Sequence, residues 1–432
     1  MEGTSAGRAV GRRGAIVITL AVTAALVAAT APPALAFPAT LAANGQRDLT
    51  YGSVVKSAGG IGTTTKPESK LFYTGDGEVE RVRWWSVLGT SGPTPAAGVW
   101  IWELGEDHRW AAEVQLPGAD PWAKADALFD DGTLYVATRD NKISAEGNPR
   151  QSSLYTIPYL GAGEWGPPVG PTPITTASPE ALTIARDGAG RLWITYETGS
   201  KVRVGYTAPF GTAFTIFTLS KTDVTSDDIS AVTAFGSGRI GVFFSDQSAR
   251  RTVFAWRSDT DPVTAAWTFE TAYGGGVEGC PTATSPLCAD DHLNVKVYQD
   301  EVYVAIKTSL NDAARSAPAD PLIVLLRRDA TGTWSSFPVS PVSQNAGRPV
   351  VVLDFGVLTL WVWATRGSEV DVWESALGAP SFTATAHIPW VKGVTVNDAT
   401  ATKQVTTEES GVVVQVAAGG KHQYWHNEFL PD

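Results

Sequence analysis

Cysteine is nearly absent from this chain: two residues in 432, alongside one methionine and five histidines. A disulfide-dense scaffold is thereby excluded. Basic residues are also short, 33 Lys and Arg against 44 Asp and Glu, for a net charge of −11. Nucleic acid and anionic lipid attract clustered Lys and Arg, so neither is an expected partner. No stretch sustains a 3.6-residue apolar period, which argues against a helical fold. Only one apolar run is long, residues 15–31, and it lies at the N-terminus.

That run has the layout of an export signal. Arg8, Arg12 and Arg13 precede it, and Ala34-Leu35-Ala36 puts small residues at the −3 and −1 positions before Phe37. Residues 1–36 are therefore expected to be a cleaved secretory signal peptide, with Arg12-Arg13 also permitting twin-arginine export. The remainder loses three Arg and one Glu and becomes more acidic still. It holds no second run long enough to cross a membrane, so a soluble, secreted, extracellular chain is expected, with no membrane contact after cleavage.

What is abundant is strand and turn material: 16 Trp, 43 Gly and 27 Pro. A strand–turn–strand unit recurs. It reads KADALFDDGTLYVATRD from Lys124, EALTIARDGAGRLWITYETG from Glu180, DISAVTAFGSGRIGVFFSDQ from Asp228, HLNVKVYQDEVYVAIKTS from His292 and RPVVVLDFGVLTLWVWATRG from Arg348. Fainter copies start at Ser69 and Val396, making seven. Asp131-Gly132 and Asp187-Gly188 carry two-residue hairpin chemistry, since Gly accepts positive φ. A third strand follows each unit (GVWIWEL, SLYTIPY, KVRVGYT, TVFAWRS, LIVLLRR, EVDVWES), then a fourth opening near Trp110, Trp165, Phe214, Trp267, Trp334 or Phe382. Four antiparallel strands repeated roughly every 40–60 residues predict an all-β, seven-bladed β-propeller. The last unit runs out after three strands, so Leu49–Lys56 is expected to supply its fourth and close the ring. The domain reading is residues 1–36 signal, 37–66 N-terminal arm with the ring-closing strand, and 67–432 propeller.

The turn Arg328-Asp329-Ala330-Thr331-Gly332-Thr333-Trp334 resembles the Asp-box of sialidase-like propellers, where an Asp and a Gly shape the turn above a packed aromatic. Arg257-Ser258-Asp259 with Trp267 is a looser copy. The chain also resembles uncharacterised secreted bacterial propeller proteins through Asp227–Ser230 and Asp290–Asn294, a resemblance that brings no activity with it. A sialidase would need three arginines, an acidic acid/base and a Tyr activated by a Glu. The Phe-Arg-Ile-Pro segment is missing, and Tyr196 and Glu197 point to opposite faces of a strand, so sialidase activity is not expected.

Propellers host many functions, so the site must carry the argument. The loops entering each first strand and those joining strands two and three share one face. This places Lys124, Glu180, Asp228, Asp291, His292, Asn294, Arg348, Asn397 and Asp398 beside Arg139, Asp140, Glu197, Asp246, Lys307 and Arg366. The ligand-binding candidates are Arg139, Glu180, Glu197, Asp228, Asp246, Asp291, His292, Lys307, Arg348 and Arg366. Such a ring either pairs internally and fixes the blades, or binds a polar ligand, carbohydrate or anionic, without catalysis, or cleaves glycosides with paired carboxylates. The blade-equivalent positions Arg139, Glu197, Asp246, Lys307 and Arg366 differ in chemistry. One asymmetric central site, or a protein-interaction scaffold, is therefore favoured over one sugar site per blade.

No cofactor is expected, and no catalytic residue can be singled out; no GxSxG, HExxH or P-loop motif occurs. His422 and His426 would lie about 13 Å apart on a strand, too far to share a metal, and no metal site is assigned. Turns such as Thr74–Glu78 could hold calcium but read as ordinary turns. Cys280 and Cys288 are expected to form a disulfide in a loop overhanging the mouth beside Asp291 and His292. The expected partner is a glycan or cell-surface polymer, and the expected state a monomer.

Overall fold

The computed structural model describes residues 46–50, 63, 67–75, 77–90, 94–139, 151–219, 224–275, 288–312, 317–367, 369–382, 396–418 and 423–429. These residues form seven antiparallel sheets and no α-helix; two single-turn 3-10 segments, Leu310–Asp312 and Val342–Gln344, are the helical exceptions. No helix among them is long and apolar enough to cross a membrane.

Six of the seven sheets are each one consecutive stretch of chain with strands side by side in sequence order, and the seventh takes one strand from near the N-terminus. Blade 1 runs Leu71–Thr74, Arg83–Thr90, Gly98–Leu104 and Trp110–Leu116. Blade 3 runs Leu182–Arg186, Leu192–Thr198, Lys201–Tyr206 and Thr215–Thr218. Blades 4 and 5 repeat the pattern over Ser230–Gly274 and Leu293–Pro341. Blade 2, from Lys124 to Thr175, adds a two-residue strand at Glu164–Trp165. Blade 6 shows three described strands, Gly347–Asp354, Thr359–Arg366 and Glu369–Ala376. Its expected fourth, beyond Phe382, lies outside the described residues.

The fold is the expected seven-bladed β-propeller. Blade 7 contains Val396–Thr400, Val412–Ala418 and Gln423–Phe429, and the N-terminal strand Gln46–Thr50 pairs with the last of these, Gln46 opposite His426 and Thr50 opposite Gln423. The two ends of the chain thus close the ring. The closing strand starts three residues before the expected Leu49, and residues 51–56 lie outside the described set. Pairing register with Gln423–His426 decides where it begins.

Burial explains why the repeats read as they do. Second strands such as Leu192–Thr198 are buried on both faces because a blade is packed on either side, whereas the outermost strand Thr215–Thr218 is half exposed. Continuous apolar runs therefore mark the middle of a blade and alternating ones its rim. Asp131 and Gly132 both have positive φ, 51° and 68°, and close the tight hairpin expected there. Asp187-Gly188 does not: only Gly190 has positive φ, and Arg186 pairs with Leu192 across a five-residue loop. Asp187 organises that loop, accepting from the Ala189 and Arg191 amides and from Trp193 Nε1 at 2.7 Å.

Adjacent blades are latched at equivalent points of their innermost strands. A side chain on one blade accepts a backbone N–H of the next: Asp126 from Ile184, Thr183 from Val232, Asn294 from Val351 and Thr400 from Lys70. These amides lie on the inner sheet edge and would otherwise be orphaned in the interior. Asp126 also accepts from the Ser69 amide and from Lys403, which reaches across the channel from blade 7. The inner strands enclose a cavity of about 320 Å³ lined by residues including Ser69, Leu128, Ile184, Val232, Lys296 and Lys403.

Candidate functional site

The register places the candidate residues at one end of the blades. Lys124 sits opposite Arg139, Leu182 opposite Tyr196 beside Glu197, and the Lys307 amide donates to the His292 carbonyl. The face divides into two sectors that differ in how their charges are met.

Around blades 5, 6, 7, 1 and 2 each candidate cation has a carboxylate. Arg139 Nε lies 2.9 Å from Glu68 Oε1, and the same carboxylate pairs with Lys70 Nζ at 2.7 Å and accepts from the Leu182 amide. Lys307 Nζ lies 2.5 Å from Asp290 Oδ2, which also accepts from Ser309. Arg366 meets Asp371 at 2.7 Å and Glu369 at 3.3 Å. Arg348 Nε lies 2.8 Å from Asp398 Oδ1. That contact falls short of hydrogen-bond geometry at both atoms. Arg348 and Asp398 both have positive φ, 56° and 37°, at irregularities opening neighbouring inner strands. Two side chains are thus held in a backbone conformation that non-glycine residues rarely adopt.

Electrostatics follow from these partners. Burial works to raise the Asp290 carboxyl pKa, but His292 and Lys307 overrule it and hold it well below the usual carboxylate range. Lys124 is pushed well below the usual lysine range by burial, with Arg139 and Lys70 adding repulsion and Glu68 and Asp398 opposing. In the channel below, the Lys296 ammonium is buried without a hydrogen-bond partner, and desolvation brings its pKa down to about 7.

Blades 3 to 5 are different. Carboxylate oxygens of Glu180, Asp227 and Asp291, from the loops entering three successive blades, lie within 4.8 Å of one another. Glu197 is buried, 7% exposed, and neither of its oxygens makes a hydrogen bond. Burial pushes its pKa up to about 8; the nearby Ser230 hydroxyl opposes this, while Asp228 and Glu180 add to it. Asp228 is met by the Thr225 and Gln247 amides at 2.7 and 3.0 Å. Asp246 is met by Ser248, the Ala249 amide and Arg251. His292 Nδ1 lies 2.6 Å from Asp291 and also contacts Asp290.

Of the remaining mouth candidates, Asn294 latches blade 6, Asp140 lies outside the described residues and so does the side chain of Asn397. The sequence reading missed Glu68, Lys70, Asp126, Asp290, Lys296 and Asp371, and it missed Asp227 as a member of the acidic group. The polar third position of the inner strands, Asp126 in KAD and Asn294 in HLN, was the available signal for the latches. Cys288 is buried in the core shared by blades 4 and 5. Cys280 lies outside the described residues, and their bond stays an expectation, as does the 1–36 signal.

The class this geometry defines is a seven-bladed β-propeller with a polar mouth. No family model matches the chain, and no curated protein does. Among solved structures it is similar to polysaccharide lyase Uly1, at 10% identity and a TM-score of 0.44, covering 89% of this chain and 98% of that one. A structure from a study of two prolyl endopeptidases has 10% identity and a TM-score of 0.44 over 84% of this chain. Prolyl oligopeptidase B from Galerina marginata has 11% identity and a TM-score of 0.43 over 81%. The chain spans 50% and 47% of the length of these two peptidase chains.

Proposed function

We propose that this chain is an exported carbohydrate-binding propeller that takes a hydroxyl-rich ligand at the channel mouth without transforming it. One observation carries the reading: the carboxylates of Glu180, Asp227 and Asp291 converge in the sector that also holds the buried Glu197, while Arg139, Lys307, Arg348 and Arg366 each already have a carboxylate. Sugar hydroxyls donate to carboxylates in charge-assisted hydrogen bonds, so a neutral polyol fits this sector better than an anion does. The Asp329–Trp334 turn supports a sialidase-like ancestry for the scaffold: Asp329 Oδ1 accepts from the Thr331 and Thr333 amides, and Trp334 packs on Phe243 and Phe254. The test is a glycan array probed with the labelled protein. Binding to neutral glycans supports the reading, and binding confined to sulfated or sialylated ones contradicts it.

A second reading is favoured by Glu197 alone. A carboxyl kept protonated at neutral pH near other carboxylates has the property a glycosidic general acid requires. A panel of fluorogenic glycosides tests it: turnover abolished in Glu197→Gln supports hydrolysis, and no turnover of any substrate dismisses it.

A further inference from the structure

The converging oxygens of blades 3 to 5 have a geometry that hydrogen bonding to a sugar does not by itself explain. Three carboxylates from separate loops, with oxygens within 4.8 Å of one another, crowd negative charge where like charges repel. His292, a cationic contact of Asp291, is shared with Asp290.

Glu197 supplies an independent observation. It is more than nine-tenths buried, and both of its oxygens lack hydrogen-bond partners. Its direction follows from strand alternation. Thr195 and Glu197 lie two apart on the second strand of blade 3 and so share a face, and the Thr195 hydroxyl contacts Ser230 at 2.7 Å at the start of blade 4. Glu197 therefore points toward the blade 3–blade 4 junction that Asp227 and Asp228 enter. Asp228 and Glu180 are the charges acting on it through space. A buried carboxyl with two unmet oxygens has to be kept neutral, either by a proton or by a cation that takes the proton's place.

We propose that Glu180, Asp227 and Asp291, together with Glu197 at the blade 3–blade 4 junction, form a divalent cation site selective for calcium. The donor set is entirely carboxylate oxygen, which suits a hard cation. Loop-borne ligands from three blades suit the flexible, high coordination of calcium better than the tight octahedron of magnesium. Asp290, by contrast, is already engaged by its own ion pairs with His292 and Lys307. The calcium proposal rests on, and deepens, the reading of this sector as the ligand site: a bound cation would neutralise the mouth and offer open coordination positions to vicinal hydroxyls.

The test is calcium titration of the full chain after dialysis against EDTA, by calorimetry and by melting temperature, with no glycan present. One saturable site is expected, with affinity on the order of 10⁻⁴–10⁻³ M, as in extracellular modules, and weaker binding of magnesium. Asp227→Asn and Glu197→Gln should each weaken calcium at least tenfold, while Glu106→Gln, on an exposed pair with Arg81, should not. Asp227 is exposed, so its variant is expected to fold, and circular dichroism checks that it does. The absence of saturable binding, equal affinity for magnesium, or wild-type affinity in both variants would overturn the proposal. Calcium uptake without glycan binding would sink the carbohydrate reading and leave the metal site standing; glycan binding indifferent to EDTA, with no calcium uptake, would do the reverse.

Discussion

The two sectors of the mouth are built from the same strand positions and end up with opposite electrostatics. In blades 5 through 2 every candidate cation is matched to an acid: Glu68 alone serves Arg139, Lys70 and the Leu182 amide. In blades 3 to 5 acids face acids, and Glu197 is buried with neither oxygen hydrogen-bonded. The difference teaches that a ring of alternating charge does not by itself mark a ligand site. Charges that have already found each other serve the scaffold, and the informative residue is Glu197, whose oxygens the fold leaves without a hydrogen bond.

The largest effect should come from the matched side. Asp126→Ala removes the acceptor for two inter-blade amides and the partner of Lys403, and should cost roughly 3–5 kcal/mol, read by urea denaturation. A loss under about 1 kcal/mol would show that the blades are not latched this way. Arg348→Ala is next. It takes the guanidinium away from the buried Asp398 and should cost about 1–3 kcal/mol while leaving glycan binding unchanged. Loss of binding with unaltered stability would move Arg348 from the structural sector to the ligand sector.

Lys296 sharpens the comparison from inside the channel. Its folded pKa of about 7 lies below its unfolded value, so the unfolded chain binds more protons between about pH 7 and 10.5 and stability rises across that window. Lys296→Met should therefore be more stable than the parent at pH 7, with the gap closing as pH rises toward 10.5. A parent whose stability is flat over that range, relative to the variant, would mean that the ammonium is solvated in the channel. Glu197→Gln should have the smallest effect at acidic pH. The Glu197 pKa is raised from 4.5 to about 8, so the parent's stability in EDTA should fall relative to the variant as pH climbs through that interval. Parallel curves would place Glu197 in water.

Much of the architecture was legible because propeller blades repeat. Hairpins such as KADALFDDGTLYVATRD betray strand, turn and strand through Asp131-Gly132 and period-two alternation, and the missing last strand announced the closure by the N-terminus. The Asp187 loop misled because Asp-Gly there serves side-chain capping and not a positive-φ turn. The mouth was legible only as a list. Which charges neutralise which depends on neighbours across blades, Glu68 on Arg139 over 71 residues and Arg348 on Asp398, and strand periodicity carries no information about such partners. Asp227 and Asp228 are adjacent acids in sequence, yet one joins the acidic group and the other is bonded to loop amides.

The central claim is that blades 3 to 5 carry the ligand. Its most direct measurement is the neutral-glycan array signal of the parent protein against that of Asp227→Asn. The account predicts binding by the parent and at least a tenfold loss in the variant, equivalent to about 1.4 kcal/mol. An undiminished signal in Asp227→Asn, or no neutral glycan bound by the parent, would contradict it.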